Sequence, residues 1–265
     1  MVKYDDPVDI SRLVAASPRP LLVGLDVDGV LAPIVDHADD AVLLAGMGWA
    51  VDAVARLADV CVAVVSGRSV AGLEQFGFGD HVQVIGSHGM ETRGLAMAPL
   101  GAREQTLLQR LDDAAVAAAD RAGDGAWVER KPASVVLHVR QADDVAGPAA
   151  IVVLIDAITS IDGATTKAGS GVLEAFARHA DKGTALVELG RRLGVATTVF
   201  VGDDVTDEDA FAQLSPTDIA IKVGDADTIA PHRLCDPAAV LTFLRSLEPS
   251  RQARHGVTVR APFAG

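Results

Sequence analysis

The sequence predicts an α/β protein: a doubly wound, Rossmann-like parallel sheet into which a separate α+β domain is inserted. Three observations point there. Short apolar runs at 21–26 (LLVGLD), 60–65 (VCVAVV) and 198–202 (TVFVG) read as strands buried on both faces, and each leads into a polar residue, Asp26, Ser66 or Asp203. Helical spacing separates the first two runs, and strand–helix–strand alternation implies parallel strands joined by right-handed crossovers. Residues 98–178 break the alternation.

Between the first two strands, Leu43, Met47, Ala50, Val51, Val54 and Leu57 recur at helical spacing and predict one helix over residues 40–58. Within 98–178, an Ala- and Leu-rich stretch predicts a helix at 104–121. Strands are expected at 126–130 and 134–140 around a Lys-Pro turn, a second helix at 145–160, and a strand pair over 163–176 that turns at AGSG. The doubly wound pattern then resumes with a helix at 182–193, a strand at 198–202, a helix at 207–214, a strand at 218–223 and a helix at 237–247. After Pro249 periodicity fades, and residues 249–265 read as a tail or linker. The expected plan is a core domain from 1–97 and 179–248, interrupted by the α+β domain at 98–178.

With 265 residues and 49% hydrophobic content, the chain can bury a large core. Its net charge of −13 argues against nucleic acid as a partner, because binding a phosphate backbone needs clustered Lys and Arg. The same acidity repels a phosphorylated metabolite, so a phosphate site would need local compensation by a metal ion and basic residues. Cys61 and Cys235 lack metal-ligand spacing and read as buried thiols, which suits a reducing cytoplasm. The acidic start MVKYDDPVDISRLV lacks the positive and apolar regions of a signal peptide, and no apolar stretch reaches membrane-spanning length. A cytoplasmic protein without membrane attachment is expected.

The strongest chemical signal is DVDGVL at 26–31, which sets Asp26 and Asp28 two residues apart beyond a buried strand. Crowded acids are costly unless a cation or a shared proton relieves them. An ordinary Asp-Gly turn is the bland alternative; the functional reading makes Asp26 a nucleophile and Asp28 a general acid and base. GDDVTDEDAF at 202–211 adds Asp203, Asp204 and Asp207. Acids in a first helical turn are favoured by the helix dipole, which accounts for Glu208 and Asp209 but not for acids that precede the helix. With Asp26 they make a hard, all-oxygen set suited to Mg²⁺. Ser66, in SGR, offers a hydroxyl for a phosphoryl oxygen, and Lys182, in DKG before a helix, offers a point charge.

Acid pair, strand-end Ser, Lys and acid cluster, in that order, resemble the haloacid dehalogenase superfamily of phosphotransferases. GSHGMETR at 86–93 and ERKPASVVLHVR at 129–140 further resemble the trehalose-6-phosphate phosphatase family, over roughly residues 20–247. The resemblance implies a haloacid dehalogenase core with an α+β cap, and a phosphatase that hydrolyses a small sugar phosphate, trehalose 6-phosphate, to trehalose and phosphate through a phospho-aspartate. It also implies Mg²⁺ held by Asp26, Asp28, Asp203, Asp204 and Asp207, and catalysis by Asp26, Asp28, Ser66 and Lys182. Substrate contacts are implied for Arg68, Ser87, His88, Gly89, Glu91, Glu129, Lys131, His138, Arg140 and Glu174, with His88 fixing its loop. Read without the resemblance, Glu129, Lys131, His138 and Arg140 form the solvated face of two paired strands. Two departures stand out. Val30 occupies a usual Thr position, and Glu174 is followed by Ala175, Phe176 and Ala177 where the family has Glu-x-Arg-Pro. Phosphatases of sucrose 6-phosphate or a glycosyl-glycerate phosphate share every catalytic residue. A non-catalytic sugar-phosphate-binding module is a further alternative, and a signalling receiver domain is disfavoured by the chain's length.

Overall fold

The computed structural model describes residues 2–35, 38–96, 99–178 and 181–252, with backbone alone at 38 and 248–252. Two compact units result, one from Met1–Ala96 and Ala180–Gly265, the other from Met97–His179.

The first unit carries a sheet ordered β11-β10-β9-β1-β2-β3-β4, parallel except for β4. The strands are β1 (Leu21–Leu25), β2 (Val60–Val65), β3 (Val82–Gly86), β4 (Glu91–Thr92), β9 (Thr197–Gly202), β10 (Ile219–Val223) and β11 (His232–Leu234). Every residue of β1 is buried because helices cover both faces. Leu21, Val23 and Leu25 pack in a cluster with residues of α1 (Pro7–Ala16), α2 (Met47–Ala55) and α8 (Pro237–Gln252). Leu22, from the opposite face, packs with Leu186 and Leu189 of α6 (Lys182–Leu193) and Ala210 and Phe211 of α7 (Val205–Gln213). On that face Gly24 leaves room for its neighbours: a Cβ there would lie 2.6 Å from Leu186 and 2.9 Å from Phe200. β1 pairs with β2 on one side and β9 on the other, so the winding reverses at β1 and opens a crevice at its carboxyl end.

The second unit is a four-stranded antiparallel sheet, β5-β6-β8-β7, made of β5 (Trp127–Arg130), β6 (Ser134–His138), β7 (Thr165–Gly169) and β8 (Val172–Phe176). Its helices α4 (Ala102–Ala122) and α5 (Ala146–Thr159) share one core with Val135, Leu137, Leu173 and Ala175. By alternation, Glu129, Ser134, His138 and Glu174 belong to the other face.

The helix expected over 40–58 occupies only Met47–Ala55. Gly46 precedes it at φ +86°, and residues 41–44 approach without helical structure, Leu44 N–H donating to Leu31 O at 3.0 Å. Leu43 and Leu57 pack on the core from outside the helix, so the periodicity reported burial beyond the helix ends. The last helix continues to Gln252 instead of ending at 247, since Val240, Phe243, Leu244 and Leu247 anchor the turns before Pro249. Of the expected tail, residues 253–265 lie outside the described residues. The two thiols are not both buried as expected: Cys61 is half-buried at the start of β2, and Cys235 is exposed just beyond β11. Pattern reading does not reveal α1, the four-residue α3 (Val70–Leu73), β3, β4 or β11.

Candidate active site

Asp26 is the residue immediately after β1, held there by its N–H donating to Val201 O at 3.0 Å. The chain then turns back sharply, with Val30, Leu31 and Ala32 all donating to Val27 O. Gly29 is required at this turn: its φ is +78°, and a Cβ would sit 2.0 Å from Asp203 Oδ2. Val30 is fully buried in the core cluster, so the missing hydroxyl is replaced by packing.

Lys182 comes from the first residue of α6, whose N-cap Asp181 accepts from Thr184 N–H at 2.8 Å. Gln213 Nε2 donates to the same Asp181 oxygen at 2.7 Å, so α7 braces the α6 start. Lys182 Nζ donates to Asp26 Oδ2 and Asp207 Oδ1, each at 2.8 Å, and the three side chains are 2%, 6% and 0% exposed. The other oxygen of Asp207 accepts from Asp203 N–H at 2.8 Å and Asp204 N–H at 3.1 Å. Asp204 is the N-cap of α7 and accepts from the N–H groups of Thr206 and Asp207.

Carboxylate oxygens of Asp26, Asp203 and Asp207 lie within 4.8 Å of one another. Burial, then repulsion by Asp207, Asp203 and Asp204, drives the Asp26 carboxyl well above its ordinary range, with Lys182 pulling the other way. Burial, then Asp207 and Asp204, pushes Asp203 up to about 7. Burial disfavours the Lys182 charge, but Asp207, Asp26 and Asp204 outweigh it and keep the ammonium protonated. Asp204 moves down despite its burial, because Lys182 and the bonds from Thr206 and Asp207 favour its charge. The cluster thus carries more negative charge than its lysine balances, with a donor set of carboxylate oxygens alone. That chemistry fits a hard divalent cation such as Mg²⁺. Asp204 serves the helix start, and Asp28 is engaged elsewhere.

Asp28 is gripped by Arg68, whose Nε and Nη2 donate to its two oxygens at 2.7 Å each. Arg68 N–H in turn donates to Ser66 Oγ at 3.2 Å, which orients the buried hydroxyl at the end of β2. The 86–91 segment wraps this point. His88 N–H donates to Ser66 O at 2.9 Å and Ser87 N–H to Arg68 O at 2.7 Å. Ser87 and His88 both take positive φ, 50° and 55°. Gly67 accommodates the His88 ring, which a Cβ would meet at 2.7 Å, and Gly89 at φ +112° lets the loop touch Ala185. Glu91 accepts from Ser87 Oγ and from Val70 N–H, both at 2.8 Å, and ties the loop to the start of α3.

In the second unit, Glu174 accepts from Ser134 Oγ at 2.7 Å and from Lys131 Nζ at 3.2 Å. Glu129 and His138 meet at 3.0 Å, a bond that holds the Glu129 carboxyl below its ordinary range. Trp127 stacks flat on the His138 ring, with centroids 3.9 Å apart. Arg140 lies beyond β6, which ends at His138, and its Nε donates to Ser170 O at 2.6 Å across the β7–β8 turn. The expected strand to 140 is therefore too long, because the hairpin turn captures this residue. Phe176 is buried at 2% and Ala177 at 5%. Asp181, Gln213, Ser134 and Trp127 are additions that pattern reading misses. Of these, Asp181 alone carries a sequence signal, an acid in N-cap position before a helix.

The profile of the trehalose-phosphatase family matches residues 24–234. A trehalose-phosphate phosphatase of Mycobacterium marinum is 36% identical over 247 residues, covering 85% of this chain and 60% of that protein. A Mycobacterium tuberculosis protein named as an uncharacterized glycosyl hydrolase is 35% identical over 247 residues, 85% of this chain but 18% of its own length. This chain therefore spans less than two thirds of either relative. The C-terminal domain of a Candida albicans trehalose-6-phosphate phosphatase superposes with a TM-score of 0.78 at 19% identity, over 94% of this chain and 98% of that one. The chain belongs to the trehalose-phosphatase family, on the haloacid dehalogenase fold.

Proposed function

We propose that the protein hydrolyses trehalose 6-phosphate to trehalose and phosphate through a phospho-aspartate on Asp26. The observation that carries this reading is the buried Asp26–Lys182–Asp207 chain at the sheet's switch point, with Asp203 beside it and the Ser66 hydroxyl at the neighbouring strand end. Asp26, Asp203 and Asp207 would hold Mg²⁺, which when bound supplies positive charge for the phosphoryl oxygens. An Asp26 oxygen attacks phosphorus in line, and the bond from phosphorus to the sugar oxygen breaks. Lys182 and Ser66 Oγ stabilise the equatorial oxygens. Asp28 gives its proton to the leaving hydroxyl, then takes one from the water that opens the aspartyl phosphate. Arg68 must first release Asp28, and an arriving phosphate dianion competes for that guanidinium.

Glu129, Lys131, His138 and Glu174 are proposed to read the sugar, and the second unit to govern selectivity. Arg140 holds the β7–β8 turn of that unit, and in the first unit the 87–91 loop holds the backbone around Ser66 and Arg68. Localisation is proposed to be cytoplasmic; no helix among the described residues is long and apolar enough to cross a membrane. The buried Phe176 favours a second reading, a phosphatase of another sugar phosphate, because it supplies no charge beside Glu174.

Phosphate release from trehalose 6-phosphate, sucrose 6-phosphate, glucose 6-phosphate and an aryl phosphate, with and without Mg²⁺, decides between them. Glu129→Ala and Lys131→Ala should each lower kcat/KM for trehalose 6-phosphate about 10²-fold, or ~3 kcal/mol, and change aryl phosphate hydrolysis far less. A preference for another sugar phosphate overturns the substrate; equal losses on both substrates overturn the division of labour.

A further inference from the structure

Strand β7 lies at the edge of the second unit's sheet, and its residues are exposed with one exception. Lys167 is partly withdrawn from water, and its Nζ is buried with no hydrogen-bond partner among the described residues. A lysine on an edge strand normally extends its flexible stem and keeps the ammonium hydrated. Burying a donor of that strength without an acceptor costs stability, so the arrangement needs a reason.

Strand register supplies one. Lys167 is the cross-strand partner of Glu174, Glu174 of Val136, and Val136 of Glu129, so one row crosses the sheet from ammonium to carboxylate. Three strand spacings make that row about 14 Å long, a span that takes two pyranose rings. The Glu174 oxygens accept from Lys131 and Ser134, and Lys167 makes no hydrogen bond to them. Glu129 is occupied by His138 at the far end. The neighbouring row brings Thr165, Phe176 and Ser134, none of them charged.

We propose that Lys167 is a specificity-determining residue that donates hydrogen bonds to hydroxyl oxygens of the sugar, on the same sheet face as Glu129 and Glu174. The inference rests on the reading of this unit as the sugar-recognising one. The ammonium's missing acceptors are the ligand's. Such a residue acts on binding that substrate and transition state share, so its loss raises KM and leaves kcat nearly unchanged.

Full-length Lys167→Met and Lys167→Arg are compared with the wild type under saturating Mg²⁺, on the sugar phosphates above and on p-nitrophenyl phosphate. Lys167→Met should raise KM for the preferred sugar phosphate about tenfold or more, the loss expected for a hydrogen bond to a charged group. Lys167→Arg should recover much of that loss, and p-nitrophenyl phosphate hydrolysis should stay at the wild-type value. Lys167→Met should also melt above the wild type, because an unpaired buried ammonium is gone; a merely structural lysine would melt lower. An unchanged KM, a fall on both substrates together, or equally weakened inhibition by inorganic phosphate overturns the proposal. If the wild type prefers a sugar phosphate other than trehalose 6-phosphate, the substrate reading fails while Lys167 is judged on the preferred compound. No turnover of any sugar phosphate overturns both.

Discussion

Asp26 and Asp207 bond the same ammonium at the same 2.8 Å, yet the Asp→Asn change should act in opposite directions on stability at the two positions. Asp207 is 0% exposed and engaged through both oxygens: one accepts from Lys182, the other from two backbone N–H groups that open α7. An amide presents one acceptor and one donor. Whichever way it turns, an NH₂ group faces either the ammonium or the two N–H donors. Breaking a buried charged pair in this way costs about 3–5 kcal/mol. For a chain of this size that lowers Tm by about 6–20 °C, at 2–4 °C per kcal/mol. Asp26 is different. Its side chain meets Lys182 through Oδ2, a bond an Asn carbonyl can keep, while the charge removed is one that Asp203, Asp204 and Asp207 repel. Asp26→Asn should therefore match or exceed the wild-type stability, by up to about 1 kcal/mol or about 2–4 °C in Tm, in the manner of a functional group that strains its fold. Turnover should vanish. Thermal melts in chelator, with phosphate release measured on the same preparations, test the pair. Equal destabilisation by both substitutions, or a neutral Asp207→Asn, would refute the division between a holding and a reacting carboxylate.

Asp203, pushed up to about 7 from its ordinary value of 3.8, binds a proton more tightly in the folded than in the unfolded chain. Its contribution is thus fully present below about pH 4 and lost as pH rises towards 7 in metal-free protein. A divalent cation favours the ionised form, so the Tm gain from added Mg²⁺ should grow between pH 5 and pH 8, and a gain that shrinks with pH would contradict the site. Gly29→Ala should cost about 1–2 kcal/mol for the left-handed backbone and much more activity than that, because its Cβ would displace the Asp203 carboxylate 2.0 Å away. Wild-type kcat in that variant would show that the carboxylate's position is immaterial. Ser134→Ala removes a buried 2.7 Å donor from Glu174 and should destabilise by about 1–3 kcal/mol in urea unfolding, with the sugar phosphate KM raised.

Much of the core was legible from the sequence for local reasons. A strand buried on both faces must be uniformly apolar, so LLVGL, VCVAVV and TVFVG identify themselves and their polar ends. Helix α6, expected near 182–193, runs Lys182–Leu193, because Asp181 caps one end and Gly194 at φ +63° closes the other. The helix over 40–58 was misjudged because burial spacing continues where the backbone is not helical. Edge strands such as β11 are too short for any period to register.

Composition and order thus determined the fold class, the inserted unit and the acids, serine and lysine of the candidate site. What the tertiary structure alone decided is which of them meet. Asp26 and Lys182 stand 156 residues apart and touch because the winding reverses at β1, and Arg68 reaches Asp28 across 40 residues for the same reason. Among the acids after β9, backbone geometry makes the selection. Asp204, at the N-cap, turns its oxygen onto the first N–H groups of α7, while Asp207, three residues on, points back to the strand end and joins Asp26 and Asp203. Carboxylates are interchangeable in a sequence; the directions in which a helix start aims them are not.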